Sequence, residues 1–203
     1  VNPFDQIEKY GADAVRFYMM TNSEPWDNLK YDEKGVDEVR RKFFGTLYNT
    51  YSFFSGYANV DAFDTEADQV PVAERPEIDR WVLSVLNTLI KGVQKEMENF
   101  DPTRAGRLIE DFVNNDLSNW YVRLNRKRFW GKEMSQDKLA AYQTLYTCLT
   151  TVAKLLAPFA PFFADQLFCD LGAAQLEGTT SVHLAKFPVV DEQLIDRELE
   201  ERM

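Results

Sequence analysis

The sequence predicts an all-α protein, an antiparallel helical bundle, and three observations carry that prediction. Apolar residues recur at three- and four-residue steps through nearly the whole chain. Proline and glycine stand where these runs start and stop. Two-residue alternation is convincing nowhere except over Ser181 to Phe187. With 203 residues, 45% of them hydrophobic, the chain is long enough for a substantial core, and 15 phenylalanines make ring packing a main component of it.

Taken in order, Asn2-Pro3 opens a short helix, Asn as cap and Pro at the first helical position, and Gly11 closes it. Ala12 to Thr21 continues as a second short helix. After the turn-like Ser23-Glu24-Pro25-Trp26-Asp27-Asn28, Asp32 caps a long helix to about Tyr57, with Val36, Phe43, Leu47, Phe54 and Ala58 on one face. The acidic, proline-bearing stretch Asp61 to Arg75 reads as a linker. Pro76 to Phe100 is the clearest amphipathic helix, with Trp81, Val82, Val85, Leu89 and Val93 among its apolar positions. Asp101-Pro102 breaks it and starts another, which runs through Ile109, Val113, Leu117, Trp120 and Leu124 toward Gly131. Gln136 to Leu156 follows, Pro158 ends it, Pro161 starts the next helix and Gly172 stops that one. Ser181 to Pro188 reads as extended, and Asp191 to Met203 as the start of a charged helix.

Several function classes are excluded at this level. No run approaches the ~18 apolar residues of a membrane span, and the richest, Leu155 to Phe168, is broken by Pro158 and Pro161. Cys148 and Cys169 lack the spacing of a zinc site or disulfide framework, which predicts reduced thiols in a cytoplasmic protein and no metal. His183 is the only histidine, no glycine loop is arranged to cradle phosphate, and the Glu110-Asp111 pair lies on a polar face. The expectation is a domain without catalytic residues. Its opening, Val1-Asn2-Pro3, without Met or a secretion signal, reads as an internal piece of a longer protein.

One segment stands apart. The net charge is -10, yet Trp120 to Lys132 carries Arg123, Arg126, Lys127, Arg128 and Lys132 and no acid. At 100° per residue, Ile109, Val113, Leu117 and Trp120 fall within about 60° of Leu124, which puts Trp120 in the core. Asn119, Arg123, Arg126 and Trp130 fall together in a second strip about 60° wide. An amide, two guanidinium groups and an indole in one strip suit a base edge, phosphates and a stacked base, and thus RNA. The plainer reading is a solvated helix end whose cations complement the dipole, with Lys127 and Arg128 paired to the linker acids between Asp61 and Glu74. DNA is disfavoured because no helix-turn-helix or zinc module is present. On the helix from Asp32, Gly45, Asn49, Ser52 and Gly56 form a small-residue stripe; close packing of a neighbouring helix is favoured there, with Asn49 as a base reader the alternative.

Over nearly its whole length the chain resembles the class I aminoacyl-tRNA synthetases, and among them the isoleucine-specific branch. The runs that carry the resemblance are Asn2-Pro3-Phe4-Asp5 with Tyr10-Gly11-Ala12-Asp13, Ser23-Glu24-Pro25-Trp26-Asp27-Asn28, Leu117-Ser118-Asn119-Trp120-Tyr121-Val122-Arg123, Asn125-Arg126-Lys127-Arg128-Phe129-Trp130, Leu156-Ala157-Pro158-Phe159-Ala160-Pro161 and Ser181-Val182-His183-Leu184. It implies a connector over residues 1–31, an anticodon-binding helical bundle over 32–178, and an extended segment with the start of a helix over 179–203. It further implies tRNA(Ile) and the remainder of the synthetase chain as partners, with Asn119, Arg123, Arg126, Lys127, Arg128, Trp130, Lys132 and Asn49 toward the anticodon arm. The HIGH and KMSKS motifs of the family are absent, so ATP with Mg would belong to the parent enzyme and no cofactor to these residues. Many relatives carry Arg where Ser52 stands, which weakens Asn49 as a reader. A valine-specific synthetase and a helical protein-interaction module are the alternatives.

Overall fold

The computed structural model describes residues 1–203, and every regular element in it is helical. Helix α1 is Pro3–Tyr10 and α2 is Ala12–Thr21. Residues 33–60 form α3, residues 102–129 form α5, and α4 between them is Glu77–Glu98. Then come α6, Gln136–Leu156, α7, Pro161–Asp170, the one-turn α8, Ala173–Leu176, and α9, Arg197–Arg202. No helix is long and apolar enough to cross a membrane.

The starts and stops follow from local chemistry. Side-chain oxygens of Asn2, Asp32, Asp101 and Ser135 accept hydrogen bonds from the backbone N–H groups of Phe4, Lys34, Arg104 and Lys138, satisfying donors that a helix start leaves free. Gly11, at φ 87°, and Gly172, at φ 71°, turn the chain where a side chain would be strained.

One contiguous core of 44 buried residues runs from Ala14 to Leu199. Phe17 of α2 stacks on Phe43 of α3 at 4.5 Å, and Tyr142 of α6 gathers Phe129, Phe63 and Phe54 around it at 4.9, 5.0 and 6.1 Å. The stretch between α3 and α4 is anchored to this core. Its Val70 N–H donates to the Gln143 amide oxygen at 3.0 Å, and the buried Arg75 donates to Val70 O and Thr144 Oγ1.

Helix α5 departs from the expected geometry. Pro102–Asp111 is α-helical, Phe112–Val122 is a wide-turn π-helix, and Arg123–Phe129 is α-helical again. Ala105, Ile109, Val113, Leu117, Tyr121, Asn125 and Phe129 are all buried, at a strict four-residue spacing. In a regular α-helix that spacing drifts about 40° per step and would wind most of the way around the axis. The wide turns hold it against the core. Trp120 and Leu124, expected to be buried, are consequently pushed outward, to 39% and 51% exposure.

The C-terminal part also differs from expectation. Ser181 to Pro188 contains no strand but a 3-10 turn, Val182–Leu184, in which the Val182 N–H donates to the Asp165 carboxylate and the His183 N–H to the Ser181 hydroxyl. Asp191 to Met203 is a 3-10 turn, Glu192–Leu194, followed by α9, and it folds back along α4. There Glu200 accepts from Ser84 and Thr88 at 2.6 and 2.8 Å while Leu199 enters the core.

Candidate nucleic-acid interface

The last third of α5 has two unlike sides. Inward lie Tyr121, Val122, Asn125 and Phe129. Outward lie Asn119, Arg123, Leu124, Arg126 and Lys127, all exposed, followed by Trp130 at 57% exposure and the exposed Lys132. Every ion pair made by this basic segment belongs to Arg128. Arg123, Arg126, Lys127 and Lys132 thus have no acidic partner and are open to an external anion.

Arg128 has to be removed from the expected binding set. Its guanidinium grips Asp79 of α4 with two parallel bonds of 2.6 and 2.8 Å and reaches Asp137 at the start of α6 at 2.9 Å. Asn125 Oδ1 accepts a further bond from it at 3.0 Å, and the Tyr121 hydroxyl donates to Asp79 at 2.8 Å. Burial, then the Asp79 charge, push the Tyr121 phenol well above its ordinary range, so it remains a donor. The acids that hold Arg128 are therefore Asp79 and Asp137, not those of the Asp61 to Glu74 stretch. Lys127 takes no acid from that stretch either.

These contacts place the free cations. The Asp79–Arg128–Asp137 bridge ties the end of α5 to α4 and α6. The buried Lys138 ammonium then donates to Gly131 O at 2.5 Å, fixing the residue after Trp130, while also pairing with Asp61. None of Asp79, Asp137 or Lys138 was foreseen. Asp79 left a signal: an acid between Ile78 and Trp81 on the apolar side of an amphipathic helix needs a buried partner.

Asn49 is exposed on α3. It lies one turn before Phe53, whose ring meets Phe129 of α5 at 5.1 Å, so Asn49 stands on the side of α3 turned toward α5. The stripe it belongs to does not pack a neighbouring helix as expected. Gly56 has nothing within 4 Å of the place a Cβ would occupy, and Gly45 meets only the Arg40 carbonyl of its own helix at 3.6 Å. Elsewhere, His183 Nε2 lies 3.1 Å from Pro161 O, and burial raises the Cys148 thiol well above its ordinary range, which keeps it protonated.

The model of the family described as the anticodon-binding domain of tRNA ligase matches residues 79–203, which include all but the first two residues of α4, the interface on α5 and the docked C-terminal segment. The chain belongs to this family. As an anticodon-binding domain it is 67% identical along its whole length to isoleucine–tRNA ligase of Bacteroides thetaiotaomicron and 60% identical to that of Porphyromonas gingivalis, spanning 18% of each. Isoleucine–tRNA ligase of Dehalococcoides mccartyi is 51% identical over 98% of the chain, which covers 20% of that protein. The domain therefore spans about a fifth of the curated relatives it matches. Among solved structures, the ternary complex of Agrobacterium radiobacter K84 agnB2 LeuRS with tRNA and LeuAMS superposes with a TM-score of 0.69 over 97% of the domain and 22% of that chain. At 19% identity, this likeness shows the shared helical fold.

Proposed function

We propose that this anticodon-binding domain grips the anticodon arm of tRNA(Ile) with the outer side of the end of α5. It would do so within an isoleucine–tRNA ligase whose other parts join isoleucine to that tRNA using ATP with Mg. The observation that carries the reading is the set of unpaired cations, Arg123, Arg126, Lys127 and Lys132, gathered on a chain of net charge -10. Arginine and lysine hold phosphates, while Asn119 and Trp130 offer an amide to a base edge and an indole to an unstacked base. Asn49, on the neighbouring helix, is a second amide within the same reading. The domain positions rather than reacts, and ATP and Mg serve the parent enzyme elsewhere. Identity to isoleucine ligases at 60 to 67% supports isoleucine over valine as the amino acid. The reading assigns the protein to the cytoplasm, where free thiols such as Cys148 and Cys169 are stable.

The test is binding of the purified chain to tRNA(Ile), tRNA(Val), duplex DNA of equal phosphate number and an acidic peptide. Replacing Arg123 and Arg126 together with Ala is expected to weaken tRNA(Ile) binding at least tenfold while the melting temperature stays within about 2 °C, since both side chains are exposed. Equal affinity of wild type and double variant at low salt would refute the interface. Preference for the acidic peptide would point to a protein-docking module.

A further inference from the structure

We infer that Trp120, backed by Trp81 and extended by Leu124, is a platform on which an unpaired RNA base stacks beside the cationic strip. This rests on the tRNA-binding reading above, and it adds a base contact at a residue whose helical periodicity assigns it to the core. The wide-turn stretch of α5 is what turns Trp120 out. The buried four-residue series passes through Leu117, Tyr121 and Asn125, so the indole at position 120 is left at the rim, 39% exposed.

Three features distinguish this rim from an ordinary exposed apolar side chain. First, the indole is braced: the almost fully buried Trp81 of α4 meets it edge-to-face at 6.4 Å and 60°, which fixes the plane of its open face. A base gains most from a ring whose orientation is already fixed, because little side-chain freedom is lost on stacking. Second, the apolar surface continues. Leu124, 51% exposed, stands one turn further along α5 on the same side. Third, phosphate-binding charge is adjacent. Arg123 lies three residues after Trp120, and Lys127 lies four after Arg123 and three after Leu124, so unpaired cations border the apolar strip along its length. An indole next to free guanidinium and ammonium groups is the combination that binds single-stranded nucleic acid, the cations tracking the backbone and the ring taking a base face whatever its identity. Trp130 provides a second indole about 15 Å further along the helix axis, which leaves room for several nucleotides between the two.

A paired base has both faces covered, so the platform acts only on splayed loop bases, and the experiment exploits this. The chain and its Trp120→Ala, Trp120→Phe and Leu124→Gln variants are titrated with tRNA(Ile) and with a blunt RNA duplex of the same phosphate number, at two salt concentrations. Trp120→Ala is expected to weaken tRNA binding about tenfold, Trp120→Phe to keep most of the affinity, and Leu124→Gln to weaken it severalfold. Duplex binding and the salt dependence should not change, because no phosphate contact is lost. A Trp120→Ala protein that binds tRNA as wild type does, or that loses tRNA and duplex in equal measure, overturns the platform. If Trp120→Ala does not fold, Leu124→Gln decides by the same criteria. The Arg123/Arg126 double variant, run alongside, separates the two claims: loss of tRNA there with none at Trp120 rejects the platform alone, and no loss in either rejects the tRNA interface itself.

Discussion

At Asp79 a carboxylate of 0% exposure meets Arg128, whose side chain is only 14% exposed, in a two-pronged bridge that Tyr121 and Asn125 complete. Desolvating both charges costs much of what their attraction returns, so the pair adds little net stability compared with apolar packing. Removing one partner is a different matter, because the other is left charged and unpaired in the core. Arg128→Ala is therefore expected to cost about 3 to 5 kcal/mol, read from chemical denaturation, whereas Lys127→Ala, at an exposed neighbour with no ion pair, should change stability by less than about 0.5 kcal/mol. Equal effects of the two would contradict the bridge. The sequence shows five adjacent cations of the same kind; which one turns inward depends on the phase of α5 and on an acid 49 residues upstream, and neither can be read from residues 120 to 132 alone. The outward set of Arg123, Arg126, Lys127 and Trp130 was legible because charge without a nearby acid marks a surface. Arg128 was not, because its acid is close only in the folded molecule.

Helix α5 shows the same limit at the level of an element. A wheel drawn at 100° per residue describes Pro102–Asp111 correctly and fails after Phe112, where each wide turn holds more than 3.6 residues and delays the rotation of everything beyond it. That delay accounts for the misplacement of Trp120 and Leu124. The pattern was nonetheless present in the sequence, since Ile109, Val113, Leu117, Tyr121 and Phe129 are large residues on a four-residue grid interrupted only by Asn125. The caps at Asn2 and Asp32 and the start at Asp101-Pro102 needed only local chemistry, and helix ends were accordingly legible to within a few residues. Folding of residues 191–203 back onto α4 depends on long-range partners such as Ser84 and Asn87, which periodicity does not reveal. The wide stretch gives a direct prediction. Deleting Asn115, an exposed residue within it, should rotate the helix beyond by about 100° and pull Asn125 and Phe129 out of register with the core. The expected loss is about 3 kcal/mol or more in thermal melting, against about 0.5 kcal/mol or less for Asn115→Ala. A deletion variant as stable as the substitution would mean that α5 can rewind freely.

Across the whole molecule, a net charge of -10 and the binding of a polyanion are compatible because of where the charges lie and how far they act. Outside the segment from Trp120 to Lys132, 18 cations face 33 acids, a net -15 over 190 residues. At physiological ionic strength, charges are screened beyond about 8 Å, while the helix end carrying the free cations extends about 20 Å. An approaching phosphate backbone is thus attracted locally at α5 and repelled by the rest of the surface, which favours one orientation over many. Four unpaired cations, Arg123, Arg126, Lys127 and Lys132, set the size of the effect. Each single-strand phosphate neutralised contributes about 0.7 to the slope of log affinity against log salt, so wild type should show a slope of about -3. With Arg123 and Arg126 replaced by Ala the slope should fall to about -1.5, whereas Arg128→Lys, which alters only the internal bridge, should leave it near the wild-type value. Titrations between 50 and 200 mM salt measure all three slopes, and a wild-type slope near zero would show that the cations at the end of α5 hold no phosphates.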